Sequence, residues 1–199
     1  MFSEWFGRRA AIAAAAALVL PRGARAQAVY AIDNTQGRLE FIARHRGIFN
    51  STGQFDRFQV RATLLPGQTD RANITVEVET ASAAIAYPGG AALLRSAPFF
   101  DAERFPTARF TGQVAPSGPP DRYAITGNLE VRGITRPVTL EGRIVSRRPN
   151  PGGGEVAEIT ANGEIRRSEF GMVAEQSVIS DVIRIGFSVR LILGAPRAG

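Results

Sequence analysis

Between Ile183 and Leu193 the chain alternates without a break: Ile183, Ile185, Phe187, Val189, Leu191 and Leu193 share one phase, and Arg184, Gly186, Ser188 and Arg190 fall between them. A period of two sends successive side chains to opposite faces of a strand, so the segment has one face for a core and one for water. A helix would need an apolar residue every three or four positions. Seven earlier segments carry the same signature: Leu39 to His45, Phe58 to Leu64, Ile74 to Thr80, Ala108 to Val114, Tyr123 to Val131, Val138 to Ile144 and Ala157 to Ile165. The connections are rich in turn residues, as in Pro116-Ser117-Gly118-Pro119-Pro120, Gly133-Ile134 and the run Pro149 to Gly154, which suits antiparallel hairpins.

Eight such strands without a long amphipathic helix predict an all-β chain, an eight-stranded antiparallel β-barrel, with a two-sheet sandwich as the alternative. Closure removes exposed strand edges, and eight strands leave an interior that holds side chains or one small ligand. Mid-strand Gly112, Gly127, Gly142, Gly163 and Gly186 fit bends or close backbone approach. The segments are short, Arg and Glu occupy the non-core phase, and aromatic girdles are missing, which argues against a membrane barrel.

One block does not alternate. From Leu93 to Phe110 the chain clusters Leu93, Leu94, Phe99, Phe100, Phe105 and Phe110 around Pro98 and Pro106, predicting a short helical or loop insertion that plugs apolar surface into the side or mouth of the barrel. Each phenylalanine also fits an ordinary core role, since aromatics dominate buried area.

The first 26 of the 199 residues read as a cleaved export signal: Arg8 and Arg9, an apolar run from Ala10 to Leu20, then Ala24-Arg25-Ala26. That order of charged, apolar and small-residue regions marks a segment removed on export, and the apolar run is too short to span a bilayer. Arg8-Arg9 resembles a twin-arginine signal, but the bulky apolar pair that should follow is missing. The expected setting is the periplasm, with no stable membrane insertion. The remaining residues, 27–199, suit one domain with a real core.

Formal net charge is +6; without the four arginines and one glutamate of the leader, 20 basic and 17 acidic groups remain, net +3. Every basic residue is arginine, so the high pI needs no basic patch, and nucleic acid is not an expected partner. With no cysteine in the chain, neither a disulfide nor a thiolate metal site can form.

His45, the single histidine, shares a face with Leu39, Phe41 and Ala43, which points it inward at a strand end. There it serves either as a structural histidine with ordinary hydrogen-bond partners or as a head-group contact. One histidine makes a zinc site improbable. Asp33, Asp101, Glu103 and Asp181 lack calcium-loop spacing, so neither metal nor cofactor is expected. Nucleophilic catalysis would need a Ser or Thr beside His45 and an orienting acid, and no Gly-x-Ser-x-Gly elbow is present. Glu77 and Glu79 share the solvated phase opposite Val76 and Val78. Gly152 to Gly154 are followed by no helix start or Lys-Ser/Thr pair, and read as a hairpin loop, not a phosphate cradle.

Five motifs in order carry a resemblance. They are Tyr30-Ala31-Ile32-Asp33 with Phe41, His45-Arg46-Gly47 and Gly53-Gln54-Phe55; Leu94-Arg95-Ser96 with Phe99-Phe100-Asp101 and Phe105-Pro106; Gly127-Asn128-Leu129 with Gly133-Ile134-Thr135-Arg136-Pro137-Val138; Arg167-Ser168-Glu169-Phe170-Gly171-Met172; and Asp181-Val182-Ile183-Arg184-Ile185. Together they resemble the YceI-like family of bacterial periplasmic proteins over Val29 to Leu193. The resemblance implies a lipocalin-like barrel whose apolar interior holds a polyisoprenoid or other long-chain lipid, with no established catalytic residue. The chain departs from the pattern at Thr35-Gln36-Gly37, at Arg132 in place of a histidine, at Glu169 in place of an aspartate, and in the apolar stretch Ala81 to Ala92. The resemblance therefore carries no head-group or metal-linked chemistry to these positions.

The resulting expectation is a non-catalytic periplasmic carrier that sequesters lipid. The candidate ligand-binding residues are Phe41, His45, Phe58, Leu94, Arg95, Phe99, Phe100, Phe105, Ala108, Phe110, Ile125, Leu129, Phe170 and Phe187. Arg95 fits a surface salt bridge equally well. The rival readings are a lipid-modifying enzyme using His45 and a structural or interaction barrel with a filled core; a homodimer is left open.

Overall fold

The computed structural model describes residues 31–45, 49–64, 70–151 and 155–193. The leader, Tyr30, Arg46-Gly47 and Gly152 to Gly154 lie outside the described residues. Ten strands follow in chain order: β1 Ala31–His45, β2 Phe49–Phe55, β3 Phe58–Leu64, β4 Ala72–Glu79, β5 Ala83–Ile85, β6 Thr107–Pro116, β7 Arg122–Val131, β8 Ile134–Pro149, β9 Glu155–Arg166 and β10 Ile179–Leu193. One short helix, α1, spans Gly90–Arg95, and 3-10 turns cover Thr80–Ser82 and Arg167–Phe170. No helix among the described residues is long and apolar enough to cross a membrane.

All ten strands belong to one antiparallel sheet in the order β3-β4-β6-β7-β8-β9-β10-β1-β2-β5. The first eight in that order are the eight strands expected from alternation, and the all-β barrel class holds. The sheet curls until β3 lies against β1, but no ladder joins the two. The expected closure is therefore corrected. β10 pairs along one edge of β1, while β2 pairs the other edge only from Leu39 to His45, so that edge of residues 31–38 has no ladder partner among the described residues. β2 and β5 extend the sheet beyond the barrel wall, leaving a seam between β1 and β3 that side chains close: the rings of Phe58 on β3 and Phe187 on β10 meet edge to face, 6.0 Å apart.

Neither β2 nor β5 was expected, because alternation is the wrong signal for them. β2 reads Phe-Asn-Ser-Thr-Gly-Gln-Phe, apolar only at its ends, and β5 has three residues. What fixes β2 is its hairpin register with β1, from Leu39 opposite Phe55 to His45 opposite Phe49. Gly53 faces Phe41 in that register, and the Phe41 ring lies where a Cβ at position 53 would stand.

Two of the mid-strand glycines make room for a ring. Gly112 and Gly127 are directly paired across β6 and β7, and a Cβ on either would sit 2.8 Å from Cζ of Phe110. The ring thus lies flat over two residues without side chains. Phe110 forms one core cluster with Ile125 and Ala161; Val78, Ala108, Val131, Phe170 and Met172 form a second toward the other end. Burying a phenylalanine or a similarly large apolar side chain contributes about 1.5–3 kcal/mol.

Candidate functional site

Antiparallel pairing brings four connections to one end of the barrel: the β1–β2 hairpin, the segment 80–106 between β4 and β6, the β7–β8 turn and the segment 167–178 between β9 and β10. A cavity of about 530 Å³ opens there and runs down into the sheet. Its inner wall includes Ile74, Phe110, Ile125, Leu140, Ala161 and Phe187, each carried by a different strand. Phe41, Phe55, Phe99 and Phe100 line its upper part. Phe100 meets Phe55 and Phe41 edge to face at centroid distances of 5.3 and 6.5 Å, so β1, β2 and the aromatic block share one wall. The volume lies within the ~300–1,000 Å³ of ordinary small-molecule sites.

Two arginines hold the rim. Arg132, in the β7–β8 turn with a positive φ of 54°, donates from one terminal nitrogen to the carbonyls of Ala97 (2.7 Å) and Phe99. That fixes the aromatic block against the barrel end. Arg167 is 3 % exposed. It donates to the carbonyls of Met172 and Ala174 at 2.8 and 2.6 Å, and to those of Ser180 and Ile179 at 3.1 Å, tying the ends of the 171–178 loop to β10. Burial lowers its pKa, with Asp181 and Glu175 opposing the shift. Burial also pushes the Asp181 carboxyl up, but hydrogen bonds from the Ser168 N–H and hydroxyl, with the nearby charges of Arg166 and Arg167, outweigh this and hold it below its usual value. Both Ser168 bonds are 2.9 Å long.

Of the polar residues in the lining, His45, Ser51, Arg167 and Glu175 gather at the mouth, while Glu40 and Arg109 direct their charges to Arg38 and Glu77. Nε2 of His45 and Oγ of Ser51 are 2.7 Å apart, and the imidazole stacks on Phe49 at a centroid distance of 4.5 Å. Sequence reasoning missed this serine because it sits on the unanticipated β2. The pair joins a hydroxyl to a potential base, but no carboxylate contacts the imidazole among the described residues, and a triad needs that orienting group.

Of the fourteen sequence-derived candidates, Phe41, His45, Leu94, Phe99, Phe100, Ala108, Phe110, Ile125, Leu129 and Phe187 lie in the cavity wall. Four lie elsewhere. Phe58 packs at the seam beside the polar groove of Arg38, Gln54 and Asp56. Phe105 sits outside, under Arg104, whose guanidinium carbon is 5.1 Å from the ring centroid, while its carbonyl accepts from Thr80 Oγ1 at 2.7 Å. Phe170 is fully buried behind the cavity wall, packed against Val78, Ala108, Val131 and Met172. Arg95 is exposed at the end of α1, where its Nε donates to the Ala91 carbonyl at 3.0 Å; among the described residues it lies outside the cavity wall and forms no salt bridge. Glu77 and Glu79 pair outside the barrel with Arg109, Arg61 and Arg57, as the solvated phase requires.

With the cavity placed, the chain can be set beside known proteins. The YceI-like domain matches residues 30–191. The chain belongs to the YceI-like family. A UPF0312 protein of Serratia proteamaculans is 31 % identical over 179 residues, covering 88 % of this chain and 92 % of the relative. Protein YceI of Salmonella arizonae is 30 % identical over 178 residues, covering 87 % and 92 %. Among solved structures, BcnA of Burkholderia cenocepacia superposes with a TM-score of 0.69 at 20 % identity, over 80 % of this chain and 99 % of that one. A polyisoprenoid binding domain from Saccharophagus degradans gives 0.53 at 14 % identity, over 82 % and 98 %. These neighbours share the YceI-like fold.

Proposed function

We propose that this YceI-like protein carries a polyisoprenoid or other long-chain lipid, its tail in the cavity and its head at the mouth, without changing it chemically. The observation that carries this reading is the segregation within the cavity: aromatic and aliphatic walls below, and His45, Ser51, Arg167 and Glu175 at the opening. At ~30 Å³ per water-sized group, about 530 Å³ takes on the order of 18 carbons, or three to four isoprene units. At ~0.8 kcal/mol per buried CH₂, tail burial dominates the gross binding energy. Arg167 has five N–H groups, four of them given to carbonyls, so one donor remains for a head-group oxygen. The fold shared with the polyisoprenoid binding domain of Saccharophagus degradans supports the ligand class. The leader sequence supports a periplasmic setting.

Titration with a fluorescent polyprenyl or long-chain acyl probe tests the proposal. Saturable binding at one site, displaced by unlabelled polyprenol, is expected; a folded protein that binds neither probe would overturn it. The Ser51–His45 hydrogen bond favours a second reading, hydrolysis of a lipid ester. Covalent capture of Ser51 by a fluorophosphonate is its signature.

A further inference from the structure

The large apolar side chains left exposed are not scattered. Of the six among the described residues, Phe49, Tyr87, Leu93 and Val178 also line the cavity mouth, and Val173 projects from the same loop as Val178; only Val145 lies away from this end. They come from three separate connections: the β1–β2 hairpin, the segment leading into α1, and the 171–178 loop. Scattered exposed hydrophobics are normal, but a contiguous ring with polar surroundings marks an interaction site. Arg44, next to His45 on the opposite phase of β1, and Arg95, at the end of α1, stand exposed beside the ring. Neither forms an ion pair among the described residues.

We propose that this ring is a docking surface for an anionic lipid bilayer, through which the cavity loads and unloads. The proposal rests on the carrier reading for its purpose, and on the rim alone for its surface chemistry. A long-chain lipid has its reservoir in a bilayer, and a mouth continuous with apolar side chains lets a tail pass from membrane to cavity without crossing water. Tyr87, with an apolar ring and a polar hydroxyl, suits the interfacial region, and Phe49 and Leu93 supply wholly apolar contact. Arg44 and Arg95, without ion-pair partners among the described residues, outnumber Glu175, the carboxylate at the mouth, and complement the lipid phosphates.

The test uses the exported, leader-free protein and a double variant that leaves the cavity wall untouched, Val173→Asp with Arg44→Glu. Flotation with vesicles of phosphatidylcholine and phosphatidylglycerol reads docking, and stopped-flow extraction of a fluorescent acyl lipid from those vesicles reads loading. The wild type should float with the vesicles and the variant should not; extraction should slow by about tenfold or more. Binding of a short-chain fluorescent fatty acid without vesicles should stay the same. Equal flotation and equal extraction rates would overturn the docking proposal. Flotation that depends on the rim, together with no fatty-acid binding by the wild type, would uphold docking and remove the carrier reading. Loss of fatty-acid binding in the variant would assign these residues to the cavity and overturn their docking role.

Discussion

Ala43 sits two residues from His45 on the cavity-facing phase of β1, opposite Ile183 on one side and Ser51 on the other. Ala43→Trp would add about nine heavy atoms to the cavity, which at ~30 Å³ per water-sized group occupies roughly half of its volume. A tail that loses about nine carbons of burial forfeits up to ~7 kcal/mol. If sliding of the tail and movement of the wall recover half, more than ~3 kcal/mol remains, a weakening of about 100-fold or more. His45→Ala removes one hydrogen bond to Ser51 and one mouth contact, worth about 0.5–1.5 kcal/mol, or roughly tenfold at most. Equilibrium titration with a fluorescent polyprenyl probe compares the two variants, with far-ultraviolet circular dichroism establishing that both keep native β content. Wild-type affinity in a folded Ala43→Trp protein, with binding abolished by His45→Ala, would refute the argument that tail volume governs affinity.

Further predictions concern parts of the same structure. Gly127→Ala should destabilise the barrel by about 1–3 kcal/mol in urea titration, since the new Cβ meets the Thr111 carbonyl and the Phe110 ring; an unchanged midpoint would remove the cradle role of that glycine. The Asp181 carboxyl is held below its usual value in the folded state, so its contribution is complete above the ordinary carboxylate range and is lost as pH falls through the lower folded value. Thermal unfolding of Asp181→Asn should accordingly lose less stability than the wild type on acidification below about pH 4, and parallel curves would contradict this. Incubation with a fluorophosphonate should leave Ser51 unmodified by intact-mass measurement, because the His45 imidazole has no orienting carboxylate among the described residues; labelling lost in Ser51→Ala would favour the hydrolytic reading.

Alternation made the barrel wall legible because each of its eight strands buries one face, and the period of two records which face. It failed at β2 and β5, since β2 is set by its hairpin register with β1 and β5 by the free edge of β2 instead of by an apolar pattern. Closure was misjudged because alternation records which face of a strand is buried and not which edges pair: β3 ends the sheet without a ladder to β1. The aromatic block was legible as an insertion, but its composition could not separate Phe99 and Phe100, which face the cavity, from Phe105, which lies outside. That division depends on Arg132, whose donation to the Ala97 and Phe99 carbonyls orients the segment. A side chain binding distant backbone carbonyls leaves no periodic trace, and the Arg167 clamp was missed for that reason. Ser51 escaped notice because its partner is six residues away across a hairpin that the sequence pattern did not reveal.

Native mass spectrometry of the protein after purification without detergent tests the central claim most directly. The account predicts a folded species heavier than the bare chain by one long-chain lipid, the adduct lost on denaturation and absent or depleted in Ala43→Trp. A folded protein that carries no adduct after exposure to polyprenol and long-chain acyl lipids would contradict it.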